Sequence, residues 1–366
     1  MTATSTASAV AGQGGQETEQ TERRAAHLRQ RFSVRSASAV YLLAILVVVF
    51  SIWEPATFLT AQTWRSLLDN QAIDAIVALA LIVPLSAGVV DLAIGSEVGL
   101  GAIVVAWLLS HQHLPIPVAV LVSLLGGAAV GVAVTLLVVR ARIGSFIATL
   151  AMSSVLLAVI DWVSGSQQIL NLGTSFQRLA TGELAGVTYP VYMLAVVALV
   201  VWYFLERTAL GRRLHATGGN IDAARLAGVR TSRVILLATV TCGVLSAFAG
   251  VLASAQLATG DPTISTSYLL PAFAAAFLGS TQFTGGRFNV AGTLVAVAVL
   301  AVGVQGLQLA GAPIWLPDLF DGVALLLAVG FAQRQSAQSA RTAAIRRALR
   351  FGHSTPTSPP DGGPGA

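Results

Sequence analysis

The sequence predicts an all-α polytopic membrane protein of about ten transmembrane helices, with both termini cytoplasmic. Three observations predict this. Hydrophobic residues make up 55% of the 366-residue chain and charged residues only 10%, against about 25% charged in an ordinary soluble domain. The apolar residues gather into long runs broken by short polar stretches. The basic residues crowd into alternate stretches between those runs. A soluble globule this apolar could not cover its own surface, so composition excludes a soluble enzyme and a disordered protein.

Residues 1–38 form a polar, low-complexity arm containing five Arg. It is too long and too polar for the front of a signal peptide and reads as a solvated cytoplasmic tail. Residues 39–333 form the transmembrane domain, which the resemblance described below makes a permease domain. Its apolar segments fall near 37–53, 72–88, 96–110, 115–139, 146–163, 190–205, 234–257, 268–283, 289–311 and 317–333. Most approach the roughly 20 residues a helix needs to cross hydrocarbon. The third and eighth are weakest, because Gly and polar residues interrupt them. Residues 334–366 form a second cytoplasmic tail, Arg-rich and then rich in Ser, Thr, Pro and Gly.

The Arg residues test this topology. All 21 basic residues are Arg. With the N-terminus inside, only Arg65 and Arg178 fall in outer loops, a strong positive-inside bias. That placement explains the basic charge as membrane topology, with no nucleic acid needed. Trp53, Trp107, Trp162, Trp202 and Trp315 sit at segment ends, where an amphipathic ring prefers the headgroup level.

Residue types exclude several chemistries. Without Lys there is no phosphate-loop lysine and no Schiff base. The single cysteine, Cys242, rules out an internal disulfide. No His-Glu-x-x-His occurs, and His111-x-His113 has no evident third ligand. We expect no catalytic residue, no metal and no cofactor on this chain.

Charge inside a bilayer is costly and marks function. The run Gly88 to Glu97 carries Asp91 and Glu97, with Gly88 and Gly95 loosening the helix around Asp91. It reads as a helix break lining a pathway; the bland reading is an inner loop, though it would be an inner loop without Arg. Gln305 and Gln308 share a helix face and could hydrogen-bond a polyol in the pathway, or only glue helices together. Asp318 and Asp321 open the last segment. The inner loop 206–233 carries six Arg and its own helix signal. Asn220 is a good N-cap, Asp222 lies in the first turn and Gly228 suits the C′ position, so Ile221 to Ala227 should form about two turns. A surface helix satisfying only its own backbone is the alternative.

These residues carry a resemblance. Gly88 to Ser96 is similar to the Gly-Gly-Ile-Asp-Leu-Ser-x-Gly-Ser motif of the permease subunits of bacterial ABC importers for ribose, xylose, arabinose and galactose. Ser145 to Leu150 resembles that family's Pro-Phe-Ile-Ala-Thr-Leu. Gly211-Arg212, Ala216, Gly218-Gly219-Asn220, Ala223-Ala224-Arg225-Leu226 and Gly228 match its cytoplasmic run in order. The resemblance covers about 40–333. It departs at Ser267 to Ala275, where two family carboxylates are missing, and at Gln305, Gln308 and Asp321.

The resemblance implies an inner-membrane permease for a monosaccharide, delivered by an extracytoplasmic sugar-binding protein. It implies a second permease subunit, most simply an identical copy, and a cytoplasmic ABC ATPase that holds ATP and Mg. It makes Asn220, Asp222, Ala223, Ala224, Arg225, Leu226 and Gly228 a coupling helix that docks on that ATPase. Nucleosides or branched-chain amino acids are the alternative cargo, and an ion-coupled secondary transporter the more distant alternative.

Overall fold

The computed structural model describes residues 38–282, 286–313 and 315–330. Almost all of both predicted tails therefore lies outside the described residues. The architecture is helical, and each of the ten apolar segments is occupied by a helix. Helix α1 spans Ser38–Trp53, a short α2 Pro55–Phe58, and α3 Ala61–Ser86. Then come α4 (Ile94–Ser110), α5 (Ile116–Thr135) and α6 (Ser145–Ser164). After them stand α7 (Thr174–Thr181), a small hairpin of β1 (Glu183–Leu184) and β2 (Val187–Thr188), and α8 (Tyr189–Trp202). The chain continues through α9 (Ala209–Gly219), α10 (Ile221–Leu226), α11 (Thr231–Leu257), α12 (Ser265–Ser280) and α13 (Val290–Leu309). A last helix, α14, covers 316–330.

Among the described residues seven helical spans are long and apolar enough to cross a membrane, counting the turns that continue α5 to Arg140 and α8 to Arg207 and that begin α12 at Pro262, and α1 and α4 are shorter apolar helices. α4 and α12, the two weakest segments by sequence, are regular helices. Each starts a few residues earlier than its apolar run, at Ile94 and Ser265.

Burial sorts the helices into two groups. α3 and α11 are buried along much of their length. α5, α6 and α8 turn apolar side chains such as Leu125, Ile147 and Leu199 outward. In water such faces would be a liability; in a bilayer they meet lipid at little cost.

Glycine lets the central helices touch. A Cβ on Gly127 would collide with the Gly243 carbonyl, and one on Gly243 would collide with the Gly127 carbonyl. Gly131 meets Thr239 and Val240 in the same way. This is the small-residue packing that replaces hydrophobic drive between helices in lipid. Thr239 Oγ1 adds a hydrogen bond to the Gly131 carbonyl at 2.8 Å.

The structure gathers the predicted inner stretches at one end. Gly88 packs on Gly218, and the 142–145 turn faces 217–221 across a cleft. The predicted outer loops meet at the other end. Ile169 bridges Gly260, Thr188 Oγ1 donates to Asp69 Oδ1, and Gln256 Nε2 donates to Asn70 Oδ1.

The two long connecting stretches hold more structure than their sequence specifies. The outer loop 164–189 folds into α7 and the β-hairpin. The inner loop 206–233 contains α9 as well as α10. The Thr208 side chain caps α9 by accepting from the Gly211 N–H at 3.3 Å. The adjacent Gly218 and Gly219 hide that helix from a propensity reading.

Candidate functional site: a helix break and its adjoining cleft

Pro84 lies in the last turn of α3, and the helix ends at Ser86. Residues 87–93 are irregular before α4 begins. Gly88 sits at φ +79°, a left-handed conformation that suits glycine. Gly95 lies elsewhere than expected. It is the second residue of α4, one step beyond the break, and its missing side chain lets the Ser265 carbonyl approach. The break thus depends on Gly88, while Gly95 serves helix packing.

Backbone freed by a break must find partners within the protein. Side chains of α6 supply them. The Val90 N–H donates to Ser145 Oγ at 3.3 Å and the Leu92 N–H to Thr149 Oγ1 at 3.0 Å. The Thr149 hydroxyl also lies 3.2 Å from the Val90 carbonyl. The Ala93 N–H donates to Asp91 Oδ1 at 3.0 Å. Further along, Ser96 and Ser153 hydroxyls meet at 2.6 Å. The motifs at 88–96 and 145–150, far apart in sequence, are two halves of one site.

The third motif closes on the same place. A Cβ on Gly88 would meet Gly218 Cα at 3.1 Å, and one on Gly218 would collide with the Ser86 carbonyl. A cleft of about 500 Å³ opens between these pieces, with Gly88, Arg142, Ser145, Gly218, Asn220 and Ile221 in its walls.

The short helix beside that cleft has the predicted form, ending one residue earlier than expected. Asn220 Oδ1 accepts from the Asp222 and Ala223 N–H groups at 3.0 and 2.9 Å. Ala227 is the C-cap, and Gly228 follows at φ +82°. Asp222 and Arg225 pair at 3.8 Å on the exposed surface. Such a pair adds little stability. Ala224 is buried against the body of the protein, whereas Leu226 is 92% exposed. Nearby, burial and the charge of Arg287 push the His215 imidazole below its usual pKa.

Asp91 and Glu97 are brought together and sealed off. Both are fully buried, and their carboxylates share a small space with the Cys242 thiol. Gln305 and Gln308 lie apart from them on α13, which packs on α1, α3 and α12. Gln305 is half-buried and Gln308 exposed. Asp318 is exposed and Asp321 nearly buried, with Oδ1 of Asp321 lacking a hydrogen bond. Asp74 on α3 lies within electrostatic reach of both Asp321 and Tyr268. The sequence reading passed over Asp74. A carboxylate inside the second apolar run was the signal that marks it.

Fold and site define a polytopic helical membrane protein in which the end that gathers the predicted inner stretches carries an exposed capped helix. Residues 67–329 match the family described as branched-chain amino acid transport system / permease component. The chain belongs to that family and is a permease subunit of an ABC transporter. It is 32% identical over 293 residues to the ribose import permease protein of Escherichia coli (strain K12), covering 78% of this chain and 90% of that one. It is 31% identical over 297 residues to the ribose import permease protein of Bacillus subtilis (strain 168), covering 81% and 92%. It is 30% identical over 318 residues to the L-arabinose ABC transporter permease protein of Azospirillum brasilense, covering 87% and 91%. No solved structure matches the chain.

Proposed function

We propose that this chain is the membrane-spanning subunit of an ATP-driven importer for a monosaccharide. A separate ABC ATPase in the cytoplasm holds ATP and Mg, an extracytoplasmic binding protein delivers the sugar, and two copies of the permease form the pathway in the inner membrane. Both termini are cytoplasmic. The relatives named as ribose and arabinose permeases support the cargo class.

One observation carries the coupling assignment. α10 is anchored on one side by buried Ala224 and presents Leu226 almost wholly to solvent on the other. An exposed Leu on a rigid, capped turn beside an open cleft is a knob awaiting a groove. The absence of Lys agrees, since nucleotide chemistry then falls to another chain. Because Gly218 rests on the end of α3 and on Gly88, motion of α9 and α10 reaches the helix break directly. Asp91 and Glu97 then act at the pathway through the geometry of this break, and Gln305 and Gln308 through hydrogen bonds to cargo.

The test is reconstitution with the partner ATPase in proteoliposomes. Leu226→Glu should abolish sugar-stimulated ATP hydrolysis and uptake while the permease stays folded. Full coupled activity in that variant would refute the docking role of α10. Uptake that persists without ATP but stops when the proton gradient collapses would instead establish an ion-coupled carrier.

A further inference from the structure

Asp91, Glu97 and Cys242 each offer a ligand atom, and these atoms lie within 4.8 Å of one another. All three residues are 0% exposed. Asp91 Oδ1 is engaged by the Ala93 N–H, but Asp91 Oδ2 and both Glu97 oxygens have no hydrogen-bond partner. Ser246, one turn beyond Cys242 on α11 and also 0% exposed, holds its hydroxyl 4.0 Å from the thiol sulfur. Two carboxylates in a dry interior require a compensating positive charge or protons. The sequence has no Lys, and among the described residues no Arg or His is buried.

We propose that Asp91, Glu97 and Cys242 bind a divalent transition-metal cation of the zinc type. The donor set decides the class. Calcium and magnesium want six or more oxygen ligands, whereas this cluster offers few donors and one is sulfur. Mixed thiolate and carboxylate donors in a small, closed space fit four-coordinate Zn2+. The ion draws the ligand atoms to about 2.0–2.3 Å, with the Ser246 hydroxyl or a water in the fourth position. Binding displaces the protons that the thiol and carboxyl groups otherwise hold, so affinity weakens as pH falls.

The ion has a structural task. Asp91 lies in the irregular stretch, Glu97 lies in the first turn of α4, and Cys242 is on α11. A shared cation fastens the helix break to the most central helix. This goes against the expectation from sequence that the chain holds no metal. It does not depend on the identity of the cargo.

The test uses the full-length permease, expressed in medium supplemented with zinc or cobalt and purified in detergent. We expect one metal ion per chain, and with Co2+ an absorption band from thiolate-to-cobalt charge transfer. Cys242 is the only cysteine, so such a band reports this site alone. Cys242→Ser should remove the band, and Glu97→Gln should weaken binding by at least about 10–100-fold. Monodisperse wild-type protein with neither metal nor band would overturn the proposal, leaving the carboxyl groups to share protons. Metal uptake unchanged in both variants would overturn it as well. If the variants fail to fold, the wild-type metal content and band decide.

Discussion

Gly88 shows what one residue does here. Its φ is +79° and a Cβ there would come within 3.1 Å of Gly218 Cα, which leaves no easy place for a side chain. Gly88→Ala should lower stability by roughly 1–3 kcal/mol, the usual cost of a left-handed non-glycine residue with crowding. Gly219→Ala is the control, because a Cβ there meets nothing within 4 Å. Its melting temperature should match the wild type or exceed it slightly, since Ala favours helix. A Gly88→Ala protein that melts like the wild type would dissociate the break from the αL geometry. Asn220→Ala should cost about 1 kcal/mol by leaving two N–H groups of α10 without their cap. Read out as uptake by the reconstituted transporter, it should weaken coupling without unfolding the membrane helices. These residues were legible in sequence because capping and positive φ are local properties.

At the scale of elements, α5 and α11 are held by backbone contact across Gly127, Gly131 and Gly243. Gly243→Leu should separate the two helices at a cost of about 1–3 kcal/mol or more, seen as a lowered melting temperature and poor recovery from detergent. Gly126→Leu one position from the seam has open space and should be tolerated. Equal behaviour of the two would mean that this seam does not hold the helices. Which glycines serve the seam was not legible, since Gly126 and Gly127 are adjacent and chemically identical. The partnership of 88–96 with 145–150 was equally hidden. Each motif looked complete alone, and only the bonds from Ser145 and Thr149 join them.

At the scale of the molecule, the arginine distribution predicts a side for each loop, and contacts join several predicted inner stretches to one another and several predicted outer loops to one another. The orientation is testable by thiol labelling, because the natural Cys242 is buried and should stay silent. Gln112→Cys in intact cells should react with a membrane-impermeant maleimide. Leu226→Cys should react only after the membrane is opened. Labelling of both from outside would overturn the topology.

The sequence by itself determined the membrane class, the helical architecture and a capped turn starting at Ile221, placed at 221–227 by sequence and ending at Leu226 in the structure. Each follows from hydropathy, charge bias or capping, which act over a few neighbouring residues. Tertiary structure alone decided that three distant motifs meet at one cleft, that Gly95 packs a helix seam instead of breaking one, and that Asp91, Glu97 and Cys242 share a closed space. These depend on which faces of different helices touch, and in lipid that choice rests on close backbone fit and buried hydrogen bonds, which no single segment of sequence contains.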